Sequence, residues 1–333
     1  MVASGQGRGA SRRIASILLR AVVTLVMVAT LNFILFRVVP GDPAALLLGG
    51  ARASVTAEQM EAQRQNWGLD RPLLPDQVVD YLSATLRGDF GYSFKFRGRH
   101  VAELILDRLP ATVALVGLAQ FIAIVSGVML GLYAGWRRGG AVDHIVTGAS
   151  LALYSTPSFW LGMLLVVIFS TALGWLPGYG AYSPGAIGGS LDWLLDYLRH
   201  LVLPVTAVAL GLIGQYVVVA RAAMSDVVTE DYMVTARAKG LTGRQMLMRH
   251  AFRNAMLPVV TLISLNLGYV VAGAITVEAV FAWPGIGGLT VEALNARDYP
   301  VLQGIFLLLG ASIVVANLVA DLSYGILDPR VRQ

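Results

Sequence analysis

Long apolar runs alternate with shorter polar segments along almost the whole chain. An α-helix needs about 20 residues to cross the hydrocarbon core of a bilayer, and each run is about that long or longer. The pattern therefore predicts an all-α membrane protein with six transmembrane helices, at about residues 14–39, 111–136, 145–173, 201–220, 257–281 and 302–326. We expect a kink in the third helix at residues 155–158, where a proline interrupts the apolar run.

A cleavable signal peptide is the alternative interpretation of the first run. Its apolar region would span about 7 to 15 residues and end in a small-residue cleavage site. The run here is longer and is followed by Arg37 and a turn sequence at residues 40–43. These features favour a first transmembrane helix.

The distribution of arginine predicts the orientation of the chain. Arginines lie before the first span, between the second and third, between the fourth and fifth, and after the sixth. The short connections on the other side carry only Arg199 and Arg297. Basic residues accumulate on the cytoplasmic side of membrane proteins, so both termini are expected to be cytoplasmic.

The polar segment at residues 40–108 is too long for a simple connection and contains short amphipathic patterns. It predicts a small extracytoplasmic subdomain between the first and second transmembrane helices. The expected organisation is thus residues 1–39 for the N-terminus and first helix, 40–108 for the subdomain, and 109–333 for a five-helix core.

Composition excludes several classes of protein. The chain is 56% hydrophobic and 14% charged, whereas soluble domains carry roughly 25% charged residues. The net charge of +5 is explained by basic residues at the ends of spans, and no aromatic residues are interleaved with a basic stripe. We therefore expect membrane lipid, and no nucleic acid, among its partners.

The residues needed for common enzyme chemistry are missing from the sequence. There is no cysteine, the four histidines are scattered, and neither Lys95 nor Lys239 lies in the phosphate-binding G-x-x-x-x-G-K-[ST] pattern. The chain is predicted to be no enzyme and to hold no metal or cofactor. Any ATP hydrolysis that drives it is expected on another polypeptide.

A polar segment at residues 225–258 interrupts the apolar pattern and predicts two short helices. The first would run from about residue 230 to 239 and end at Gly240, a residue suited to a left-handed C-terminal cap. The second would open on a capping box of Thr242 and Gln245. It would carry an apolar stripe of Met248, Phe252 and Met256 and stop before the proline at position 258.

This segment resembles the signature loop of binding-protein-dependent ABC-importer permeases, in the variant typical of the dipeptide/oligopeptide/nickel family. The similarity runs from Tyr232 through the sequence Thr-Ala-Arg-Ala-Lys-Gly-Leu at residues 235–241 to the Leu-Pro pair at 257–258. Residues 88–94, 277–287 and 328–330 also resemble that family. The glutamate of the general Glu-Ala-Ala-x-x-x-Gly pattern is absent, because valine stands at position 234.

The resemblance implies a type I importer permease fold and a role for this loop, which we call the docking loop (residues 223–256). In that family the loop inserts into a groove on an ATPase subunit. The residues implied in docking are Thr235, Ala236, Arg237, Ala238, Lys239, Gly240, Leu241 and Arg244.

The resemblance also implies the partners. They are a homologous second permease subunit, two ATPase subunits that hold ATP and Mg, and an extracytoplasmic substrate-binding protein, in a bacterial or archaeal cytoplasmic membrane. Peptides are the expected substrates, with nickel chelates, glutathione or opines as alternatives and a stand-alone channel or secondary transporter as a distant one. Beside the segment at 40–108, the residues expected to contact the binding protein are Trp283, Pro284, Asp298 and Tyr299.

A few polar side chains fall inside the predicted spans. A charged residue at the centre of a membrane helix costs roughly 2.5 to 3.5 kcal/mol, so such groups should face protein or water. Glu278 either lines the outer part of the translocation path or is bonded to the neighbouring hairpin. The amides expected either to line the path or to join helices are Gln120, Gln215, Asn266 and Asn317.

Overall fold

The computed structural model describes residues 3–38, 73–96, 98–185, 188–272 and 274–327. This part of the chain is helical and contains no β-strand, apart from an isolated bridge between Tyr92 and His100. Residues 40–72 and 97 of the subdomain predicted for 40–108 lie outside the described residues, as does the similarity at 328–330.

The helices are numbered here in chain order. They are α1 Ala3–Phe33, α2 Val78–Leu86, α3 Val101–Trp136, α4 Ala141–Ser155, α5 Ser158–Leu165, α6 Leu191–Val228, α7 Asp231–Ala238, α8 Gly243–Met246, α9 Phe252–Leu267, α10 Tyr269–Ala272, α11 Ile275–Val280, α12 Ile286–Ala296 and α13 Tyr299–Leu327. Wider π-helical turns extend or precede some of them, at Ile34–Val38, Leu73–Gln77, Val166–Ala172 and Leu247–Ala251.

The chain divides into two compact units. Unit 1 comprises Met1–Leu109 and Leu289–Val314, and unit 2 comprises Pro110–Gly288 and Val315–Gln333. In unit 1, Asn32 of α1 links two other helices. Its amide nitrogen donates to the Gln303 carbonyl of α13 at 3.2 Å, and its amide oxygen accepts from the Tyr81 hydroxyl of α2 at 3.2 Å.

Four of the described helical stretches are long and apolar enough to cross a membrane. They are Ala15–Phe36, Val101–Trp136, Leu191–Val228 and Tyr299–Val319. A fifth is reached if the pair Ala141–Ser155 and Ser158–Ala172 counts as one span. The count of six spans stays a prediction.

The third predicted span is not one kinked helix, because its two halves meet at 97°. Thr156 precedes Pro157, and a residue before proline is pushed out of the helical region. Thr156 is accordingly extended, with φ −92° and ψ 126°. The sequence located this break correctly, but its size was underestimated.

The fifth predicted span, at residues 257–281, was also wrong as a continuous helix. The structure has three pieces there, α9, α10 and α11. Glycine occupies positions 268 and 273 in the sequence, and glycine costs about 1 kcal/mol relative to alanine inside a helix. The predicted stop before Pro258 was wrong as well, since α9 continues through that residue.

The fourth span is longer than predicted. Residues 191–200, which precede the span predicted at 201–220, form the first turns of α6. Ser190 caps this helix, because its hydroxyl accepts a hydrogen bond from the Trp193 backbone N–H at 3.1 Å.

In unit 2, α3 and α6 approach closely along a row of glycines. A methyl group on Gly131 would lie 2.5 Å from the Val217 carbonyl oxygen, and one on Gly135 would lie 2.5 Å from the Arg221 carbonyl oxygen. Small residues at four-residue spacing let membrane helices pack backbone to backbone. The pairing fixes where the side chains of α3 and α6 meet.

An ion pair joins α4 to α6 in the same unit. Arg221 donates from Nε and from one terminal nitrogen to the two oxygens of Asp143, both at 2.8 Å. The Gly139 backbone N–H donates to the same carboxylate at 2.9 Å. Asp143 is 1% exposed, so its charge depends on these donors.

Candidate functional site

A cavity of about 470 Å³ lies inside unit 2. Its walls come from α3, α6, α9, the start of α11 and the break between α4 and α5. Three of the predicted path residues, Gln120, Gln215 and Asn266, line it together. They are far apart in the sequence, and the folding of three helices brings them to one place.

The other polar groups of the cavity are hydroxyls. Thr156 and Ser158 reach it from the break between α4 and α5, and Tyr154 and Thr276 complete the polar part. The bend of 97° is therefore what brings this stretch to the wall. The remaining wall is apolar and comes mainly from Val116, Val208 and Leu212.

A buried tyrosine holds two of the cavity amides in place. The Tyr216 hydroxyl accepts hydrogen bonds from the Gln120 side-chain nitrogen and, at 3.1 Å, from the Asn266 side-chain nitrogen. Tyr216 is fully buried, so α3, α6 and α9 share one polar junction. Sequence reasoning missed Tyr216, because a tyrosine in an apolar run carries no signal of its partners.

Glu278 is not part of the cavity wall. It is fully buried, and one carboxylate oxygen accepts from the Thr112 hydroxyl at 2.8 Å. The other accepts from the backbone N–H groups of Gly287 and Gly288, at 2.8 and 3.2 Å. The carboxylate is thus bonded to the neighbouring hairpin, as the second of the two interpretations describes.

The positions around Glu278 require glycine because a larger residue would clash with neighbouring atoms. A methyl group on Gly285 would clash with the Glu278 carboxylate and the Thr112 hydroxyl. One on Gly287 would lie 2.6 Å from the Ile275 Cα. The Pro-Gly-Ile-Gly-Gly sequence thus wraps its backbone around the carboxylate, and we call this arrangement the glutamate cradle (Thr112, Glu278, Gly285, Gly287 and Gly288).

Asn317 also lies away from the cavity. It is exposed on α13 and does not line the cavity wall. Two of the five predicted path residues, Glu278 and Asn317, are therefore separated from the three that meet.

The docking loop contains the first predicted helix as α7, whereas the second predicted helix begins as α8 and runs through the π-helical turn Leu247–Ala251 into α9. Gly240 follows α7 with φ +78°. Its N–H donates to the Arg237 carbonyl at 3.0 Å, and the Leu241 N–H donates to the Ala236 carbonyl at 3.3 Å. This pair of bonds defines a Schellman cap, which requires a left-handed residue at the glycine position.

The capping box of the second helix is confirmed. The Gln245 backbone N–H donates to the Thr242 hydroxyl at 3.4 Å, and the Thr242 N–H donates to the Gln245 side-chain oxygen at 2.9 Å. A fixed cap on each side of the bend makes the turn between α7 and α8 a defined structure.

One face of the docking loop packs into unit 2. Met233 and Ala236 of α7 and Met246 of α8 are buried with Met224 of α6. Ala236 is only 4% exposed, which removes it from any surface that a partner could touch. The predicted docking residues left at the surface are Thr235, Arg237, Ala238, Lys239, Gly240 and Arg244, while Leu241 is half-buried.

The apolar stripe predicted on the second helix is only partly exposed. Met248 is 60% exposed and Phe252 is 40% exposed, but Met256 is half-buried and packs against the same core. The stripe is thus shared between the surface and the interior of unit 2.

Trp283, expected to contact a binding protein, is instead a core residue of unit 2. It is 1% exposed, its indole N–H donates to the Ala111 carbonyl at 2.9 Å, and its ring packs against Tyr197 at 5.4 Å between centroids. Burial of the ring excludes it from surface contact. Its neighbour Pro284 is half-buried.

Asp298 in unit 1 is also buried rather than available to a partner. Its carboxylate accepts from the Ser93 hydroxyl and from the backbone N–H groups of Phe94 and Lys95, the latter two at 3.1 and 3.0 Å. It therefore anchors the turn at residues 93–96. Tyr299, next in the chain, is half-buried.

Comparison with known proteins identifies the family. Residues 127–333 match the family described as Binding-protein-dependent transport system inner membrane component. Residues 11–116 match the family of the N-terminal part of such membrane components. The chain belongs to this family. The permease is thus an inner-membrane component of a transport system that works with a substrate-binding protein and an ATPase.

Individual relatives cover nearly the whole permease. The Probable peptide ABC transporter permease protein y4tP of Sinorhizobium fredii is 38% identical over 318 residues, which are 95% of this chain and 97% of that protein. The Di/tripeptide transport system permease protein DppB of Pseudomonas aeruginosa is 39% identical over 322 residues, which are 92% and 94% of the two chains. The predicted membership of the peptide permease group is confirmed.

A solved structure shows the fold. A chain of the MetNI methionine ABC transporter, in an inward-facing conformation, matches the permease with a TM-score of 0.54 at 16% identity. The match covers 68% of this chain and 96% of that chain. The fold agrees with the type I importer permease expected from the sequence.

Proposed function

We propose that this permease moves di- and oligopeptides across the cytoplasmic membrane by alternating access, driven by separate ATPase subunits. The observation that carries the proposal is the near full-length similarity to two permeases whose names specify peptides or di- and tripeptides. The neutral, amide-lined cavity in unit 2 supports it, because amides form the hydrogen bonds that peptide groups need.

The docking loop is the proposed contact with the ATPase. Its exposed part combines the cations Arg237, Lys239 and Arg244 with the small residues Thr235 and Ala238 around the Gly240 bend. The cations can pair with partner carboxylates, and the small side chains permit close approach. ATP and Mg would bind to the ATPase subunits, and this chain would hold no cofactor.

The packing of the docking loop suggests how movement of the ATPases is transmitted to the transmembrane helices. Met233, Ala236 and Met246 tie the loop to Met224 of α6, the same helix that presents Gln215 to the cavity. A close-packed core transmits displacement because it resists compression. Movement of docked ATPases would therefore shift α6 and the cavity wall together.

The remaining assembly follows the family expectation. A second, homologous permease would complete the path, and two ATPase subunits would dock on the cytoplasmic side. The arginine distribution supports cytoplasmic termini in a bacterial or archaeal membrane. On the outer side, Pro284, Tyr299 and residues 40–108 stay the proposed contacts for the binding protein.

ATP hydrolysis by the co-purified complex tests the substrate class. We expect the binding protein loaded with a dipeptide or tripeptide to stimulate hydrolysis several-fold over the unloaded binding protein. The same binding protein incubated with a nickel chelate, glutathione or an opine serves as the control and should leave the rate at the unloaded value. Stimulation by one of these ligands but by no peptide would contradict peptide import.

A further inference from the structure

The residues that line the cavity in unit 2 indicate which part of a peptide the permease recognises. The described residues that line it include none with a formal charge. Its polar groups are the side-chain amides of Gln120, Gln215 and Asn266 and a set of hydroxyls. A charged substrate side chain would therefore find no counter-charge on this wall.

The three amides are not equivalent. Gln120 and Asn266 each donate to the Tyr216 hydroxyl, so part of their hydrogen-bonding capacity is used inside the protein. The Gln215 side chain makes no hydrogen bond within the described part of the chain, and it is half-buried at the cavity wall. It is the amide best placed to bond a passing molecule.

A side-chain amide has the same donor and acceptor groups as a peptide bond. It can donate from NH₂ and accept at C=O, so it pairs with a backbone amide in either direction. A carboxylate or an ammonium group in the same place would instead favour substrates of opposite charge and disfavour those of like charge.

We propose that Gln215 and its cavity recognise the backbone amides of the substrate, and that the wall passes peptides regardless of the charge of their side chains. The inference rests on the proposed function. It assigns to Gln215 a role in specificity, since a neutral amide at this point keeps the path open to both acidic and basic peptides.

Substitutions of opposite charge at Gln215 test this role. The measurement is uptake of one acidic and one basic tripeptide into proteoliposomes containing the whole complex, at saturating loaded binding protein. The acidic-to-basic rate ratio of each variant is divided by that of the unmodified complex, which cancels the preference of the binding protein. Gln215→Glu should lower this quotient about tenfold, and Gln215→Lys should raise it by a similar factor.

Asn317 provides a matched control. Asn317→Asp also converts an amide to a carboxylate, on α13 and away from the cavity wall, and should leave the quotient at one. Opposite shifts for the two Gln215 variants would support the inference. A quotient near one for both, in complexes that still import peptides, would overturn it. Lack of peptide uptake by the unmodified complex would instead contradict the proposed function.

Discussion

Replacing Gly240 with valine is expected to reduce ATP-driven uptake to background while the permease still inserts and folds in the membrane. Gly240 has φ +78°, and the left-handed conformation costs an L-residue roughly 1–2 kcal/mol, with β-branched residues worst placed. An added Cβ would meet nothing within 4 Å, so the effect is backbone strain rather than a clash. The Schellman cap would be lost, and the bend between α7 and α8 would change direction.

Two control variants distinguish the effect of losing the Gly240 bend from the effect of backbone strain in general. Gly174 has φ +63° and equally open surroundings after the π-helical turn Val166–Ala172, so Gly174→Val introduces the same kind of strain outside the docking loop. We expect that variant to keep most of its uptake. Gly240→Asn should also retain activity, since asparagine tolerates the left-handed region. Normal uptake by Gly240→Val, at equal amounts of inserted protein, would show that the bend is incidental.

Glu278→Leu is expected to destabilise unit 2 strongly. It removes the acceptor for the Thr112 hydroxyl and for two backbone N–H groups, all inside the glutamate cradle. Each buried donor left without a partner costs about 1–3 kcal/mol, so we expect a loss of about 3 kcal/mol or more. The measurement is the midpoint of thermal unfolding of the purified complex in detergent.

A surface carboxylate provides the comparison. Glu292 of unit 1 lies 3.1 Å from the Lys95 ammonium and 3.6 Å from Arg108, but its side chain is 37% exposed. Exposed ion pairs contribute about 0–1 kcal/mol, so Glu292→Gln should hardly move the midpoint. Glu278→Gln should fall between the two, because it keeps one carbonyl oxygen in the cradle. An unfolding midpoint for Glu278→Leu equal to that of Glu292→Gln would contradict the structural role of the cradle.

Local features were predictable from the sequence. The left-handed cap at Gly240 and the capping box of Thr242 and Gln245 depend on a few neighbouring residues, and both are present. The break at Thr156 follows from the proline after it. The sequence assigned Gln120, Gln215 and Asn266 either to the path or to contacts between helices, and the structure places all three on one cavity wall.

Features that depend on distant partners were not predictable. The Ser93–Asp298 hydrogen bond joins residues 205 positions apart, and the Thr112–Glu278 bond joins residues 166 apart. Asp298 is a charged residue in a turn-like sequence, so the sequence suggests that it is exposed. Its hydrogen-bond donors lie in the distant turn at residues 93–96. Trp283 was also expected at the surface, because aromatic residues occur both at membrane interfaces and in protein cores. The role of Tyr216 likewise depends on its partners in α3 and α9, and the role of the close-packed glycines of α3 depends on α6.

Uptake of labelled peptides by proteoliposomes distinguishes an importer subunit from a self-sufficient carrier. The permease alone would be compared with the complex containing the second permease, the ATPases and the binding protein, each with and without ATP. We predict uptake only by the complex, and only with ATP. Peptide uptake by the permease alone without ATP would contradict its role as an importer subunit and identify a channel or secondary carrier.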